Sequence, residues 1–272
     1  MPRFLRPGLL VTVFLAGCTG LPTQMPDRPE RLPRGYTYYL DGAGGGSAVR
    51  HWSQGIKDGL LAAGYRGAGE LFSWETGLGV IADQDASVKY KRSKAAALAG
   101  LMLEYQKTYP SAPINVIGFS AGPAVAVFAL EALPEEIMVD DVILLGASIG
   151  ANYDLARALR RVRGHIYLFT SSRDAVIGVL VGATGTADRK QGEAAAGVEG
   201  FALPPDASAE TRRLYAEKVV TIPWTKEFER AKNYGGHFDN VKMEFIRDHV
   251  APLMRFVESS ESTGTTVEGG RN

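Results

Sequence analysis

The sequence predicts an α/β fold in which helices cover both faces of a mostly parallel central sheet. Short runs of β-branched and aromatic residues alternate along the chain with segments whose apolar residues recur at helical spacing. Such alternation favours crossover connections and therefore parallel strands. With 272 residues, of which 45% are hydrophobic and 22% charged, the chain is long enough to bury the core of one such domain.

Six short runs are predicted as strands because they combine aromatic and β-branched residues between turn signals. They cover residues 36–40, 70–74, 114–119, 142–145, 165–170 and 219–222. Helices are predicted from apolar spacing and from the glycine and proline residues that end them. They cover residues 49–63, 93–109, 121–133 and 153–162, and a closing helix covers residues 243–257. Because ligand sites in parallel sheets form at the carboxyl ends of strands, we expect the chemistry in the loops that follow these strands.

The N-terminus has the pattern of an export signal. Arg3 and Arg6 precede an apolar run at residues 8–15, which is too short for a comfortable membrane span. The run ends in Leu-Ala-Gly-Cys at residues 15–18, which resembles the bacterial lipobox. That resemblance implies a signal peptide at residues 1–17 and a lipid on Cys18. The alternative is an ordinary signal sequence in which Cys18 lies near the cleavage site by chance.

These features predict the domain organisation and the location of the protein. A lipidated Cys18 opens a proline-rich tether at residues 18–34, followed by the folded domain at residues 35–257 and a disordered tail at residues 258–272. Cys18 is the only cysteine, so no internal disulfide can form. A lipoprotein of this kind is expected in the bacterial cell envelope, on the periplasmic or extracellular face of a membrane.

Charge and residue spacing argue against several classes of ligand. Thirty basic and thirty acidic residues balance, and no basic block tracks phosphates, so nucleic acid is not an expected partner. No pair of histidine and carboxylate residues shows metal-ligand spacing, so neither a metal nor another cofactor is expected. Nothing in the sequence indicates a protein partner or an oligomeric state.

One motif carries a candidate nucleophile. Gly-Phe-Ser-Ala-Gly at residues 118–122 lies between a predicted strand and a predicted helix. A nucleophile elbow requires this context, because the serine there projects from a strained strand-to-helix turn at the positive end of the helix. The pattern Gly-x-Ser-x-Gly alone is weak, so Ser120 could also be a small polar residue in a tight bend.

A serine needs a base, and the base needs an acid that holds its tautomer. Of the four histidines only His237 lies in a glycine-flanked loop after the last strand; the alternative is a loop histidine without a role. Asp174 follows the fifth strand, where the alternative is an ordinary helix N-cap. Asp154 and Asp239 are weaker candidates for the acid, because Asp154 opens a helix and Asp239 lies very close to His237 in sequence.

The order Ser120, Asp174, His237 resembles that of the α/β-hydrolase superfamily, and the resemblance extends over residues 36–257. It implies an α/β-hydrolase-like three-layer sandwich without the first hairpin of that superfamily. It also implies an oxyanion hole made by the N–H of Ala121 and an N–H of Ala43 or Gly44, with Ala43 favoured. Residues 41–46 resemble the His-Gly-Gly-Gly loop of lipases and esterases, but Asp41 stands where the family usually has His.

Two further features bear on the substrate. Trp52, Trp74 and Tyr234 lie near strand ends and could line an acyl or aromatic pocket, although core packing is the other reading for Trp52. Residues 182–205 lie between the candidate acid and base, where they could form a lid or a solvated connection.

The resemblance implies a serine hydrolase that cleaves a small-molecule or lipid ester. A thioesterase, an amidase or an acyltransferase would use the same residues. From another class, a nucleotide-binding domain is disfavoured, because Ser47 replaces the third glycine, Glu75 comes late and no phosphate-binding lysine loop occurs. The remaining alternative is a catalytically silent member of the fold that serves as a binding or scaffold module.

Overall fold

A computed structural model describes residues 24–46 and 52–255, which form a six-stranded sheet between two layers of helices. The predicted signal peptide, Cys18, Ser47 and the tail from residue 258 lie outside the described residues. The strand order is β2-β1-β3-β4-β5-β6, and every described pair is parallel. The strands are β1 Tyr36–Leu40, β2 Ala68–Leu71, β3 Ile114–Phe119, β4 Asp141–Leu145, β5 Ile166–Thr170 and β6 Val219–Pro223. The predicted three-layer α/β fold with a mostly parallel central sheet is therefore confirmed.

Ten α-helical segments connect these strands in the described residues. They are α1 Arg28–Arg31, α2 Ser53–Ala62, α3 Val80–Asp85, α4 Val88–Thr108, α5 Gly122–Ala132, α6 Ala156–Leu159, α7 Ala175–Thr184, α8 Ala196–Glu199, α9 Ala209–Lys218 and α10 Met243–Phe245. Short 3-10 segments cover Leu32–Arg34, Lys226–Ala231, His237–Val241 and Ala251–Leu253. A π-helical turn covers Ile246–Val250.

Two predicted helices are shortened or broken in the structure, for identifiable reasons. The helix predicted at residues 153–162 is only α6, because the backbone after it bonds to Val139. The N–H of Val139 donates to the carbonyl of Arg161, and the N–H of Arg163 donates to the carbonyl of Val139. The closing helix predicted at residues 243–257 breaks into α10, a π-helical turn and a 3-10 turn. Pro252 lies in that last turn, and a proline there removes an N–H donor and crowds the preceding helical turn.

The core lies on both faces of β3 and β4, whose residues are all buried. Helix α5 covers one face, and its residues from Gly122 to Leu130 are buried because the helix is apolar on all sides. The other face packs on α2 and the closing segment, where the rings of Phe169 and Phe245 meet edge to face at 5.3 Å. Position 120 therefore lies between two apolar layers.

The N-terminal segment packs along the free edge of β2. The N–H of Met25 donates to the carbonyl of Gly69 at 3.0 Å, and Gln24 Nε2 donates to Glu70 Oε2 at 2.8 Å. Met25 itself is buried. The chain is thus part of the folded body from Gln24 onwards, eleven residues before the predicted boundary at residue 35.

The predicted tether at residues 18–34 is therefore wrong for residues 24–34. Its prolines indicate an extended linker by composition, but Pro29 and Pro33 lie in the first turns of α1 and of Leu32–Arg34. Proline is favoured at that position because its fixed φ suits a helix and its missing N–H is not needed there. Composition alone does not distinguish these two uses of proline.

No helix among the described residues is long and apolar enough to cross a membrane.

The contact between α2 and the closing segment gives a test of the packing. A Cβ added at Gly59 would lie 2.5 Å from the Cβ of Ile246, so Gly59→Ala is expected to lower the free energy of unfolding by about 1–3 kcal/mol. Gly100 on α4 is the matched control, because a Cβ there meets nothing within 4 Å. Gly100→Ala should raise stability by roughly 0.5–1 kcal/mol. Urea denaturation measures both values, and an unchanged midpoint for Gly59→Ala would contradict this packing.

Candidate active site

Ser120 occupies a strained turn between β3 and α5. Its φ is +59°, in the left-handed region that residues other than glycine rarely adopt. Two backbone hydrogen bonds hold this conformation: Ser120 N–H donates to the carbonyl of Leu145 at 2.9 Å, and Ser148 N–H donates to the carbonyl of Ser120 at 2.8 Å. Both partners come from the end of β4 and the loop after it, so the neighbouring strand fixes the turn.

The two glycines of the motif are required by close backbone contacts. A Cβ at Gly118 would lie 2.8 Å from the nitrogen of Pro123, and a Cβ at Gly122 would lie 2.5 Å from the carbonyl oxygen of Leu40. These contacts bring α5 against β1 and leave no room for a side chain. The Gly-x-Ser-x-Gly pattern thus reflects the geometry of the turn.

Asp174 and His237 form a buried pair. His237 Nδ1 lies 2.7 Å from Asp174 Oδ2, and both side chains are almost fully buried. Asp174 Oδ1 also accepts a hydrogen bond from the N–H of Ile177 at 3.0 Å, so the residue caps α7 as well. The sequence presents a helix N-cap and a partner of His237 as alternative roles for Asp174. In the structure the Asp174 side chain has both roles. A carboxylate at Nδ1 favours the tautomer that leaves Nε2 free as an acceptor.

The loop around His237 is fixed by another acid. Asp239 Oδ2 accepts hydrogen bonds from the N–H groups of Tyr234 and Gly236, each at 3.1 Å. Asp154, the other weaker candidate for the acid, accepts from the N–H of Ala156 at the start of α6. Neither of these carboxylates contacts the imidazole; Asp174 does.

Ser120 and His237 line the same small cavity of about 70 Å³. The ring of His237 packs on that of Phe119, with 4.7 Å between the centroids. Within the described residues no hydrogen bond joins Ser120 Oγ to the imidazole. The remaining wall is apolar and consists of Ala43, Trp52, Val80, Phe119, Val176, Leu180 and Phe238. Of the three aromatic residues suggested by the sequence, only Trp52 lies on this wall.

The glycine-rich loop after β1 runs directly against Ser120. A Cβ at Gly42 would lie 2.6 Å from the Cβ of Ser120, so only glycine allows this approach. The N–H of Gly44 already donates to Asp83 Oδ2 at 2.7 Å. The N–H groups of Ala43 and Ala121 have no acceptor in the described part of the chain. The structure thus leaves these two donors beside Ser120, whereas Gly44 is occupied.

Asp41, the departure from the family pattern, anchors this loop. Its Oδ1 accepts from the N–H of Ser53 at 2.8 Å, and its Oδ2 accepts from the N–H of Gly46 at 3.2 Å. Its carbonyl accepts from the indole N–H of Trp74 at 2.8 Å. Trp74 is fully buried, so its role is structural support below the loop and not contact with the cavity.

Asp83 is a site residue that the sequence analysis misses. It is buried in α3, where its Oδ2 holds Gly44 and its Oδ1 accepts from the N–H of Thr76 at 2.7 Å. The residues before it carry no strong helical period, so the sequence predicts a loop there. The local sign of a helix start is weak. Gly77 and Gly79 can end a turn, and Asp83 follows Val80 by three residues.

Glu75 lies beside the same loop with an altered acidity. Its Oε2 accepts from the N–H of Trp74 and from Ser73 Oγ, both at 2.9 Å. Burial raises the pKa of the Glu75 carboxyl to about 7, and the nearby charge of Asp41 adds to the rise. Hydrogen bonds to the carboxylate oppose the shift, so the group titrates close to neutral pH.

Residues 182–205 pack on the body of the protein. Ala196 N–H and Gly197 N–H donate to the carbonyls of Ile149 and Ala147 at 2.8 Å, and Ser171 N–H donates to the carbonyl of Gly197. Eight of its 24 residues are buried, mainly residues 185–188 and 195–197, so these stretches are packed and are not a solvated connection. Among the described residues no group of three or more potential metal ligands is present.

Comparison with known proteins adds little to this geometry. No family model matches the chain, and no curated protein matches it. Three solved structures show a distant likeness in fold. An uncharacterized protein from Bacillus cereus ATCC 10987 is 12% identical over 75% of this chain and 59% of its own, with a TM-score of 0.41. The chain thus spans less than two thirds of that protein.

The other two structures are similarly distant. LpqC, a poly(3-hydroxybutyrate) depolymerase from Bordetella parapertussis, is 13% identical over 76% of each chain, with a TM-score of 0.41. A puromycin-hydrolyzing peptidase from Mycobacterium tuberculosis is 14% identical over 79% of this chain and 32% of its own, with a TM-score of 0.38. Likeness at this level assigns no residue roles to this chain.

Proposed function

We propose that the protein is a serine hydrolase that cleaves a carboxylic ester through an acyl-enzyme on Ser120. The observation that supports this most is the buried Asp174–His237 pair beside a serine held at positive φ on the wall of one cavity. A helix N-cap needs no histidine, and a tight bend needs no imidazole nearby. The combination is what nucleophilic catalysis by serine requires.

In the proposed reaction His237 acts first as base and then as acid. Its Nε2 takes the hydroxyl proton of Ser120 while Oγ attacks the ester carbonyl carbon. The resulting oxyanion receives hydrogen bonds from the N–H groups of Ala121 and Ala43, which can lower the barrier by several kcal/mol. The carbon–oxygen bond to the alcohol then breaks, and His237 gives its proton to the leaving oxygen. Asp174 stabilises the imidazolium throughout.

The second half of the reaction repeats these steps with water. His237 removes a proton from a water molecule that attacks the acyl carbon, and the proton passes to Ser120 Oγ as the acyl bond breaks. The apolar cavity wall of Val80, Val176, Leu180 and Phe238 suits a hydrocarbon acyl group. A thioester, an amide or transfer to another acceptor would use the same groups, so assays with defined esters decide the reaction class.

Ser120→Ala tests the nucleophile. We expect the wild-type protein to react with a fluorophosphonate and to hydrolyse p-nitrophenyl esters, and we expect Ser120→Ala to do neither. Ser172→Ala is the matched control, because Ser172 is exposed in the loop that carries Asp174. It should label and turn over like the wild type. A folded wild-type protein that does not label would instead favour the silent binding or scaffold module.

Asp174→Asn separates the two roles of that residue. Asparagine is as good an N-cap as aspartate, so α7 and overall stability should be retained, whereas Asp174→Ala should cost about 1 kcal/mol. An amide cannot hold His237 in the required tautomer, so kcat should fall by about 10⁴-fold, as in other triads. Thermal unfolding and ester hydrolysis give the two readouts. Retention of kcat within about tenfold would remove Asp174 from the proposed mechanism.

We further propose that the protein is exported and anchored to a membrane of the bacterial cell envelope by a lipid on Cys18. The Leu-Ala-Gly-Cys sequence at residues 15–18 after a short apolar run supports this. Metabolic labelling with a radioactive fatty acid should label the wild-type chain and not Cys18→Ser. Equal labelling of both chains, or labelling of neither, would reject the anchor while leaving the hydrolase proposal untouched.

A further inference from the structure

Exposed apolar side chains lie on the wall of the Ser120 cavity or within two residues of it in sequence. We define this apolar rim as Leu78, Ile81, Val176, Val179 and Phe238, all of which are exposed. Leu78 is 83% exposed, Ile81 71% and Val179 73%. Large apolar side chains that are this exposed and lie close together mark an interaction surface more often than single exposed ones do.

The rim continues the wall of the cavity. Val176 lies both on the rim and on the wall, and Leu180, next to Val179, also faces the cavity. On the other side, Val80 lies on the wall and its neighbour Ile81 on the rim. Helix α7 contains no charged residue over its ten positions, although most of them are exposed. An apolar surface thus runs from the reacting serine to the outside of α3 and α7.

The N-terminal segment leads toward the same edge of the sheet. Arg31 Nη1 donates to the carbonyl of Tyr65, just before β2 begins. Met25 lies opposite Gly69 within β2, and Gln24 reaches Glu70 one residue further along. In its own direction the segment therefore runs antiparallel to β2. Followed backwards from Arg31, it approaches the carboxyl end of β2, at the end of the sheet where Ser120 and the rim lie.

The distance from Cys18 to the body is limited by the chain. Six peptide units join Cys18 to Gln24, and a fully extended chain of that length spans at most about 22 Å. A lipid on Cys18 would therefore hold Gln24, beside the carboxyl end of β2, within that distance of the bilayer. The rim lies where a bilayer can reach it, and its helix α7 carries no charge. These properties match a lipid interface, since burial of apolar side chains there is favourable in free energy.

We propose that the apolar rim rests on the bilayer that holds the Cys18 anchor, so that ester substrates enter the Ser120 cavity from the lipid phase. This inference rests on the proposed function, since it names a membrane-embedded ester as the substrate. Leu78, Ile81 and Val179 bury their side chains among the acyl chains, while the entrance lined by Val176 and Phe238 opens toward the lipid.

A fluorescent probe tests the docking without reference to catalysis. The full-length lipidated chain carrying Ser120→Ala is placed in vesicles of phosphatidylethanolamine and phosphatidylglycerol. Val179→Cys is labelled with the environment-sensitive dye NBD, and the parent chain, whose Cys18 is acylated, serves as the unlabelled reference. We expect a blue shift and a gain in emission for dye at position 179. Dye at Leu101→Cys, an exposed leucine on α4, should show neither.

Equal emission at the two positions would overturn the proposal. So would a shift at position 179 that grows with the protein-to-lipid ratio, because a second copy of the chain, and not the bilayer, would then cover the rim. These outcomes do not depend on hydrolysis. If the wild type cleaves no ester while position 179 still shifts, the proposed reaction fails and the docking surface remains.

Activity provides the second readout. Ile81→Ser and Val179→Ser lie outside the cavity wall, so hydrolysis of dissolved p-nitrophenyl acetate should be unchanged. Hydrolysis of p-nitrophenyl palmitate embedded in the vesicles should fall about tenfold, the loss expected when one buried aliphatic side chain is removed from an apolar contact. Leu101→Ser should alter neither rate. A parallel fall on both substrates would show that the rim supports the fold and does not contact lipid.

Discussion

The positive φ of Ser120 is the constraint on which the rest of the site depends. It is maintained by two backbone hydrogen bonds to the end of β4 and the loop after it, and it requires glycine on both sides of the motif. It also requires Gly42, because the loop after β1 passes within contact distance of the serine Cβ. Ser120, the N–H donors of the glycine-rich loop and the start of α5 are thus parts of one packing arrangement.

Asp174 joins the chemistry of the site to secondary structure. One carboxylate oxygen starts α7 and the other holds His237. Since α7 also supplies Val176 and Leu180 to the cavity wall, the orientation of His237 and the shape of the cavity are set by the same helix. Asp83 also makes two contacts with different effects. Its carboxylate accepts hydrogen bonds from the N–H of Thr76, which closes that turn, and from the N–H of Gly44. The N–H of Ala43 is thus the donor of the loop that stays available.

The sequence predicts the strands and the order of the candidate residues well, since both depend on local patterns. β1 and β3 have the predicted bounds, because the apolar run of β1 ends at Asp41 and that of β3 ends at the turn of Ser120. β2 begins two residues and ends three residues earlier than predicted, because Trp74 turns away to support the loop of Asp41. The roles of Asp41 and Asp83 depend on contacts across 12 and 39 residues, which no local period records. The breaks in the closing helix depend on its packing against α2 as well as on Pro252.

The segment before β1 has a consequence for how the molecule behaves toward other chains. β2 lies at one edge of the sheet, where open carbonyl groups would invite a foreign strand. The N–H of Met25 donates to the carbonyl of Gly69 in β2. At the opposite edge β6 ends in Pro223, which has no N–H donor. A protein with a single cysteine has no internal disulfide to restrain its chain, so protected edges are its defence against β-aggregation when the body loosens.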